Sequence, residues 1–295
     1  MKRILVIANP AARRGTGGKA ISLARQLAQN YREHFSFDFL LTEAPGHATE
    51  LARAHAADYD VVAALGGDGT VNEVVQGLAG GDTPLGLIPI GTGNDFARSA
   101  GVPRKLEAAM DLLCRGKAQP TDLGVVNGRH FINAVGIGFD GRTNHEIEHI
   151  KYLRGPLVIL AAIFRTMVFW KAVPITLSVD GETTAGPAYL IGIGNGPSVG
   201  GGMQLTPRAR VGDGQLHVTH VADISPWKSI LNFGRLKSGT IDRLDEVTLL
   251  QGNHIVVESE EPLPVHVDGE GWGLDLHKLD VQIQPGALLV VRDPS

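Results

Sequence analysis

Cysteine is almost missing from this chain: Cys114 is the only one in 295 residues. An internal disulfide is therefore excluded, and a reducing cytosol is the expected compartment. An excess of positive charge is missing too. There are 27 basic and 31 acidic side chains, a net charge of −4, with no lysine-rich run and no basic stripe interleaved with aromatics. That composition argues against a nucleic-acid partner. Long hydrophobic runs are also lacking. The N-terminal MKRILVIANPAARR begins with basic residues, but its apolar run of about six residues falls short of the roughly 7–15 of a signal peptide. The most apolar later stretch, GPLVILAAIF at 155–164, meets Arg165 and Lys171 before it reaches the ~18 residues of a membrane span. No crossing of a membrane is expected.

What is present is ordinary for a soluble globular protein, with 43% apolar and 20% charged residues and enough length for one or two domains with a large core. No internal repeat or low-complexity segment interrupts it. Over the first 120 residues, β-branched runs alternate with helical patterns. RILVIA (3–8), FSFDFLL (35–41), VVAAL (61–65) and LGLIPI (85–90) precede helices near 18–32, 47–57, 70–79 and through about 115. Continuous apolar strands separated by helices predict a parallel sheet covered on both faces, with ligands at the carboxyl ends of its strands. From about residue 121 short β-rich runs are joined by DG, NG and PG turns, from DLGVVN and HFINAVGIGF to LDVQIQ and ALLVV. This predicts an antiparallel sandwich or barrel, interrupted by helices near 143–169 and 225–236. The expected fold is thus α/β, a doubly wound parallel-sheet domain over 1–122 and a β-sandwich domain over 123–295, the last ~10 residues returning to the first.

Glycine-rich turns follow the first, third and fourth strands. GGDGT at 66–70 stands at a strand-to-helix corner, where backbone N–H groups and a helix start attract phosphate. The same residues also suit a tight turn with Asp68 or Thr70 as helix cap. GTGNDFA at 91–97 repeats the arrangement: Thr92 and Asn94 are candidate donors to phosphate or ribose, and Asp95 a candidate cap. The first turn offers Arg13, Arg14 and Lys19. None of these is a P-loop or a dinucleotide fingerprint. In the second half, Asp268 and Glu270 flank a glycine in VHVDGEGW, which also reads as a hairpin turn. Asp213 in RVGDGQL, with nearby carbonyls, could hold a hard cation such as Mg²⁺ or simply mark a turn. HEIEH at 145–149 matches a zinc-protease pattern through His145, Glu146 and His149. Ile147 is its only apolar residue, so an exposed helical face is the expectation.

In that order, GGDGTVNEV (66–74), GTGNDFA (91–97), GFD (138–140), IGIGNGPSVGGGMQLTPRARVGDGQL (191–216) and VDGE (267–270), with NP at 9–10 and TE at 42–43, resemble the diacylglycerol kinase catalytic family of bacterial lipid kinases. Sphingosine and ceramide kinases are distant members. The resemblance runs end to end and implies a nucleotide domain and a β-sandwich with the active site in the cleft between them. It also implies an ATP-dependent kinase acting on a hydroxyl of a membrane lipid. By similarity Asn9, Thr42, Gly66, Gly67, Asp68, Gly69, Thr70 and Thr92 contact ATP. Glu270 or Asp268 accepts the proton, and Asp213 with the carbonyls of Arg210 and Gln215 holds Mg²⁺. Asp68 either meets the phosphates through a metal or orients Mg²⁺ through water. GFD and the helix after it face the lipid, with Arg154 reaching phosphate. NPAARRG departs from the family's usual glycine-rich continuation, which leaves Arg13 and Arg14 without an inherited role; the HEIEH histidines inherit none either. The alternatives are an NAD kinase-like phosphotransferase, which shares GGDGT, and a non-catalytic nucleotide- or lipid-binding protein. The lipid acceptor implies a cytoplasmic protein held peripherally at the membrane through apolar residues near 153–170, unless these pack against the sandwich. Which lipid is used stays open, as does the oligomeric state, a homodimer included.

Overall fold

A computed structural model of the chain describes residues 1–15, 17–150, 153 and 156–293. The chain forms two compact units, Met1–Leu123 together with Gln284–Ser295, and Gly124–Ile283. In the first unit β1 (Lys2–Ala8), β2 (Phe35–Leu41), β3 (Val61–Gly66) and β4 (Leu85–Pro89) lie parallel in the order β2-β1-β3-β4. The last part of β14 (Glu270–Arg292) adds a further parallel strand, with Val290 opposite Leu85. Ile4 to Ala8 and Val62 to Leu65 are wholly buried, as expected of strands covered on both faces. Ile4, Val6 and Ala8 pack on Ile21, Ala24 and Ala28 of α2 (Gly17–Ala28) and on Met110 and Leu113 of α6 (Leu106–Arg115). Against the sheet's other face lie α3 (His47–His55) and α4 (Asp68–Leu78), which pack on each other. Each such buried Ile, Leu or Val contributes about 1.5–3 kcal/mol, and surface ion pairs contribute far less. The edge strand β2 is only half-covered: Phe35, Phe37 and Phe39 turn to the core, and Asp38 between them is exposed.

The second unit is antiparallel. Its main ladder runs β12 (Val247–Gly252), β11 (Leu216–Val221), β10 (Leu190–Gly194), β7 (Ala134–Gly138), β13 (His254–Val267) and then β14. β13 works twice: Ile255–Glu258 pair with β8 (Val173–Val179), and Val265–Val267 pair with β7. β9 (Glu182–Ala188) flanks β8. The remaining strands are β5 (Lys117–Val126) and β6 (Arg129–Phe131), joined as a hairpin. Where the sequence suggests two strands at HIVVES and LPVHVD, one long strand is found, because register shifts carry the ladder past Pro262 and Pro264. LDVQIQ and ALLVV likewise belong to β14. Alternating Val, Ile and Leu side chains fill the core of this unit.

Among the described residues it also holds α7 (Phe139–His149), α8 (Pro156–Phe169), α9 (Pro226–Asn232) and α10 (Gly234–Ser238). Ser225 caps α9 by accepting the Lys228 N–H, with Pro226 at the first helical position. Two short helices of the first unit, α1 (Ala12–Gly15) and α5 (Asp95–Ser99), follow its first and fourth strands.

Candidate functional site

In the first unit, the strand order reverses between β1 and β3, and the corners after those strands stand side by side. Asn9 follows β1; its N–H donates to the Leu65 carbonyl at 3.0 Å, and its side chain donates to Thr70 Oγ1 at 3.2 Å. The two glycine corners touch through backbone. A Cβ on Gly91 would lie 2.6 Å from the Gly67 Cα and 2.8 Å from Asn94 Oδ1, so only glycine fits there. Asp68 locks the contact. Its Oδ2 accepts the Asn94 N–H and its Oδ1 the Asp95 N–H, each at 2.7 Å. Asp68 thus supplies the anion at the start of α5, across from its own helix. Burial and the neighbouring Asp95 push its carboxyl above the ordinary value, and N–H groups of Asn94, Asp95 and Phe96 pull it back. Asn94 sits in the left-handed region with φ 52°, and its amide exchanges two hydrogen bonds with the Gly91 backbone, at 2.9 and 2.8 Å. Its side chain therefore shapes the corner, where the sequence suggested a phosphate donor. Asp95 pairs with Arg98 at 2.7 Å and leaves the capping to Asp68. Gly69 and Thr92 are exposed, and Thr42 is half-buried after β2.

In the second unit, Asp268 and Gly269 form a two-residue turn between Val267 and Glu270, with φ of 50° and 85°. Positive φ at both positions is the signature of a type I′ hairpin. Asp268 accepts N–H bonds from Ile132, Asn133 and Ala134 at 2.9, 2.9 and 3.0 Å. Glu270 keeps a side chain 44% exposed and meets Arg129 at 2.6 Å. His266 is buried beneath the turn, with Nε2 on Asp140 at 2.7 Å and Nδ1 accepting the Gly269 N–H at 3.2 Å. Burial alone would lower its pKa; the Asp140 carboxylate, with Asp268, outweighs this and leaves it raised. Asn144 also reaches the turn, donating to the Gly269 carbonyl at 2.7 Å.

Asp213 lies in a turn whose Gly212 and Gly214 have φ of 134° and 75°. Its carboxylate accepts the Gln215 N–H at 3.1 Å and meets His217 Nε2 at 2.9 Å, and its N–H donates to the Arg210 carbonyl. The partners of this carboxylate are thus an N–H and an imidazole, and a hard cation held by it would replace the His217 contact. Among the described residues no three His, Cys, Asp or Glu side chains gather in a metal-binding group, and this includes HEIEH. That segment is not simply an exposed face. Glu146 is buried and holds Arg142 at 2.7 Å and Arg165 at 3.2 Å.

α8 has two faces. Ala162, Ile163, Thr166 and Met167 are buried, whereas Leu157, Leu160, Phe164, Val168 and Phe169 are exposed. The neighbouring α9 adds exposed Trp227 and Leu231, which the sequence did not single out. No described helix is long and apolar enough to cross a membrane. Inside, α7, α8 and α10 border an apolar cavity of about 90 Å³. Arg154 lies outside the described residues, as do the side chains of Arg13 and Arg14. Sequence reading missed Arg129, His266 and Asn144, whose partners are more than a hundred residues away for Arg129 and Asn144, and which carry no local motif.

Residues 3–126 match the diacylglycerol kinase catalytic domain, and residues 133–292 match the YegS C-terminal NAD kinase beta sandwich-like domain. A Pseudomonas aeruginosa protein named "Probable lipid kinase YegS-like" is 37% identical over 80% of this chain and 78% of its own. A Bacillus subtilis diacylglycerol kinase is 31% identical over 93% of this chain and 91% of its own. A crystal structure of a diacylglycerol kinase from Bacillus anthracis str. Sterne, 24% identical, shares the fold with a TM-score of 0.75 over 99% of this chain and 97% of that one. The chain belongs to the diacylglycerol kinase family of lipid kinases.

Proposed function

We propose that this chain transfers the γ-phosphoryl group of ATP to a hydroxyl of a membrane lipid such as diacylglycerol. The observation that carries this reading is the division of labour in the Asp-Gly-Glu hairpin. Asp268 is spent on three backbone N–H groups, whereas Glu270 keeps a half-exposed carboxylate beside Arg129. Glu270 is therefore the proton acceptor, and Asp268 holds the turn that presents it. A positioned carboxylate of this kind contributes about 10²–10⁴-fold to proton transfer.

Asn9, Thr42, Gly66, Gly67, Asp68, Gly69, Thr70 and Thr92 take the nucleotide at the carboxyl ends of the parallel strands. Gly69 and Thr92 are the most exposed members for direct contact, and Asp68 acts by keeping the two corners together. Mg²⁺ supplies positive charge to the phosphoryl oxygens. A further Mg²⁺ is held by Asp213 with the carbonyls of Arg210 and Gln215. The protein is cytoplasmic and meets the membrane through the exposed apolar side chains of α8 and α9, flanked by Arg165 and Lys171.

Incubation with labelled ATP and diacylglycerol, sphingosine or NAD in parallel tests the assignment. Label in lipid is the expected result. Label in NAD alone would make it a dinucleotide kinase, and nucleotide binding without transfer to any acceptor would make it a binding protein.

A further inference from the structure

One short stretch of the second unit, residues 129–134, holds both acidic side chains of the Asp-Gly-Glu hairpin. Ile132, Asn133 and Ala134 give their N–H groups to Asp268, and the Ala134 carbonyl accepts the Asp268 N–H at 2.9 Å. Arg129 gives a guanidinium N–H to Glu270 Oε2 at 2.6 Å. The backbone that carries Arg129 is fixed on either side. Before it, Asn127 and Gly128 turn the β5–β6 hairpin with φ of 44° and 84°, and Val126 pairs with Arg129. Asn127 ties that turn to β14: its N–H and Oδ1 bond the Asp280 backbone at 2.9 and 2.8 Å, and its Nδ2 donates to the Lys278 carbonyl at 3.1 Å. After it, Phe131 is wholly buried against Gly124, where a Cβ would lie 2.1 Å from the ring. A side chain mounted between two such anchors reaches its partner from a set position.

The ion pair is one-armed. A guanidinium can embrace both oxygens of a carboxylate, but here one N–H meets Oε2, and Oε1 has no hydrogen-bond partner among the described residues. The two oxygens of Glu270 are therefore unequal. A pair with side chains 32% and 44% exposed adds little to stability, so orientation is what it contributes.

We propose that Arg129 is a positioning residue for phosphoryl transfer: it pins Glu270 by Oε2 and so selects Oε1 as the oxygen that takes the proton of the acceptor hydroxyl. In that step the acceptor oxygen forms a bond to the γ-phosphorus. The bond from that phosphorus to the ADP oxygen breaks, ADP leaves with the electron pair, and the hydroxyl proton goes to Oε1. The inference rests on the kinase reading with Glu270 as proton acceptor.

Steady-state kinetics of the full chain, on the acceptor that the wild type phosphorylates, test it. Arg129→Met keeps an unbranched side chain without charge or donor. Its kcat should fall about 10–10²-fold, while the KM for ATP and the unfolding midpoint stay at wild-type values. Arg129→Lys returns one charged donor to the same strand and should recover most of that loss. In a Glu270→Gln background, Arg129→Met should cost nothing more, because both changes act through one carboxylate. A wild-type kcat in Arg129→Met would overturn the proposal. So would losses that multiply in the double variant, or an Arg129→Lys no better than Arg129→Met. Arg129→Gln replaces Arg129→Met in the series if the latter does not fold. An impaired Glu270→Gln beside an unimpaired Arg129→Met would remove Arg129 alone, whereas a wild type that phosphorylates no acceptor would end the kinase reading and this role together.

Discussion

Asp68 and Asp268 use their carboxylates in the same way: each gathers backbone N–H groups from a distant stretch of chain. Asp268→Ala would strand three donors, and a loss of about 2–4 kcal/mol in urea unfolding is expected. Glu270→Gln removes the charge of a half-exposed side chain and keeps its shape. Its unfolding midpoint should match wild type while kcat falls about 10²–10⁴-fold and the KM for ATP holds; an unchanged kcat would place the base elsewhere. His266 has a folded pKa raised above its ordinary value by Asp140 and Asp268 against the effect of burial. The stabilisation from this shift is complete below the unfolded pKa and fades as pH rises through the folded one. Activity should run the opposite way. A second proton on Nδ1 displaces the Gly269 N–H, so acidification loosens the turn as it stabilises the fold. Comparing wild type with His266→Gln from pH 8 to pH 5.5, by unfolding and by turnover, checks both signs.

At the scale of elements, the contact between the corners after β3 and β4 depends on Gly91, where a methyl group would lie 2.6 Å from the Gly67 Cα. Gly91→Ala should cost about 1–3 kcal/mol by pushing the corners apart and should raise the KM for ATP far more than that of the lipid. The outward face of α8 makes a separate case. Phe169 and Trp227 are 78% and 76% exposed, so Phe169→Asp with Trp227→Asp should fold normally and fail to float with liposomes. Flotation equal to wild type would remove this face from the membrane. Periodicity made the amphipathic helices and the alternating strands legible. It did not reveal that β13 continues past two prolines, because a bulged ladder looks like two strands when only local pattern is read. Nor did it reveal that Glu146 is buried, since the two arginines that neutralise it include Arg165 on another helix.

For the whole molecule, the chain leaves the first unit through β5 and returns to it through β14, which buries Leu288, Val290 and Val291 there. Deleting residues 284–295 should therefore destabilise the first unit by several kcal/mol, at about 1.5–3 kcal/mol for each lost apolar side chain. Limited proteolysis confined to residues 1–123 would report it. The sequence alone determined the α/β-then-sandwich plan and the family, because hydrophobic period and glycine-rich corners are local properties that a linear text preserves. Only the tertiary structure decided which acidic side chain of the hairpin is committed to backbone and what Asp68 holds. Those outcomes depend on which distant N–H groups and side chains arrive within about 3 Å of one another, and no spacing along the chain encodes that meeting.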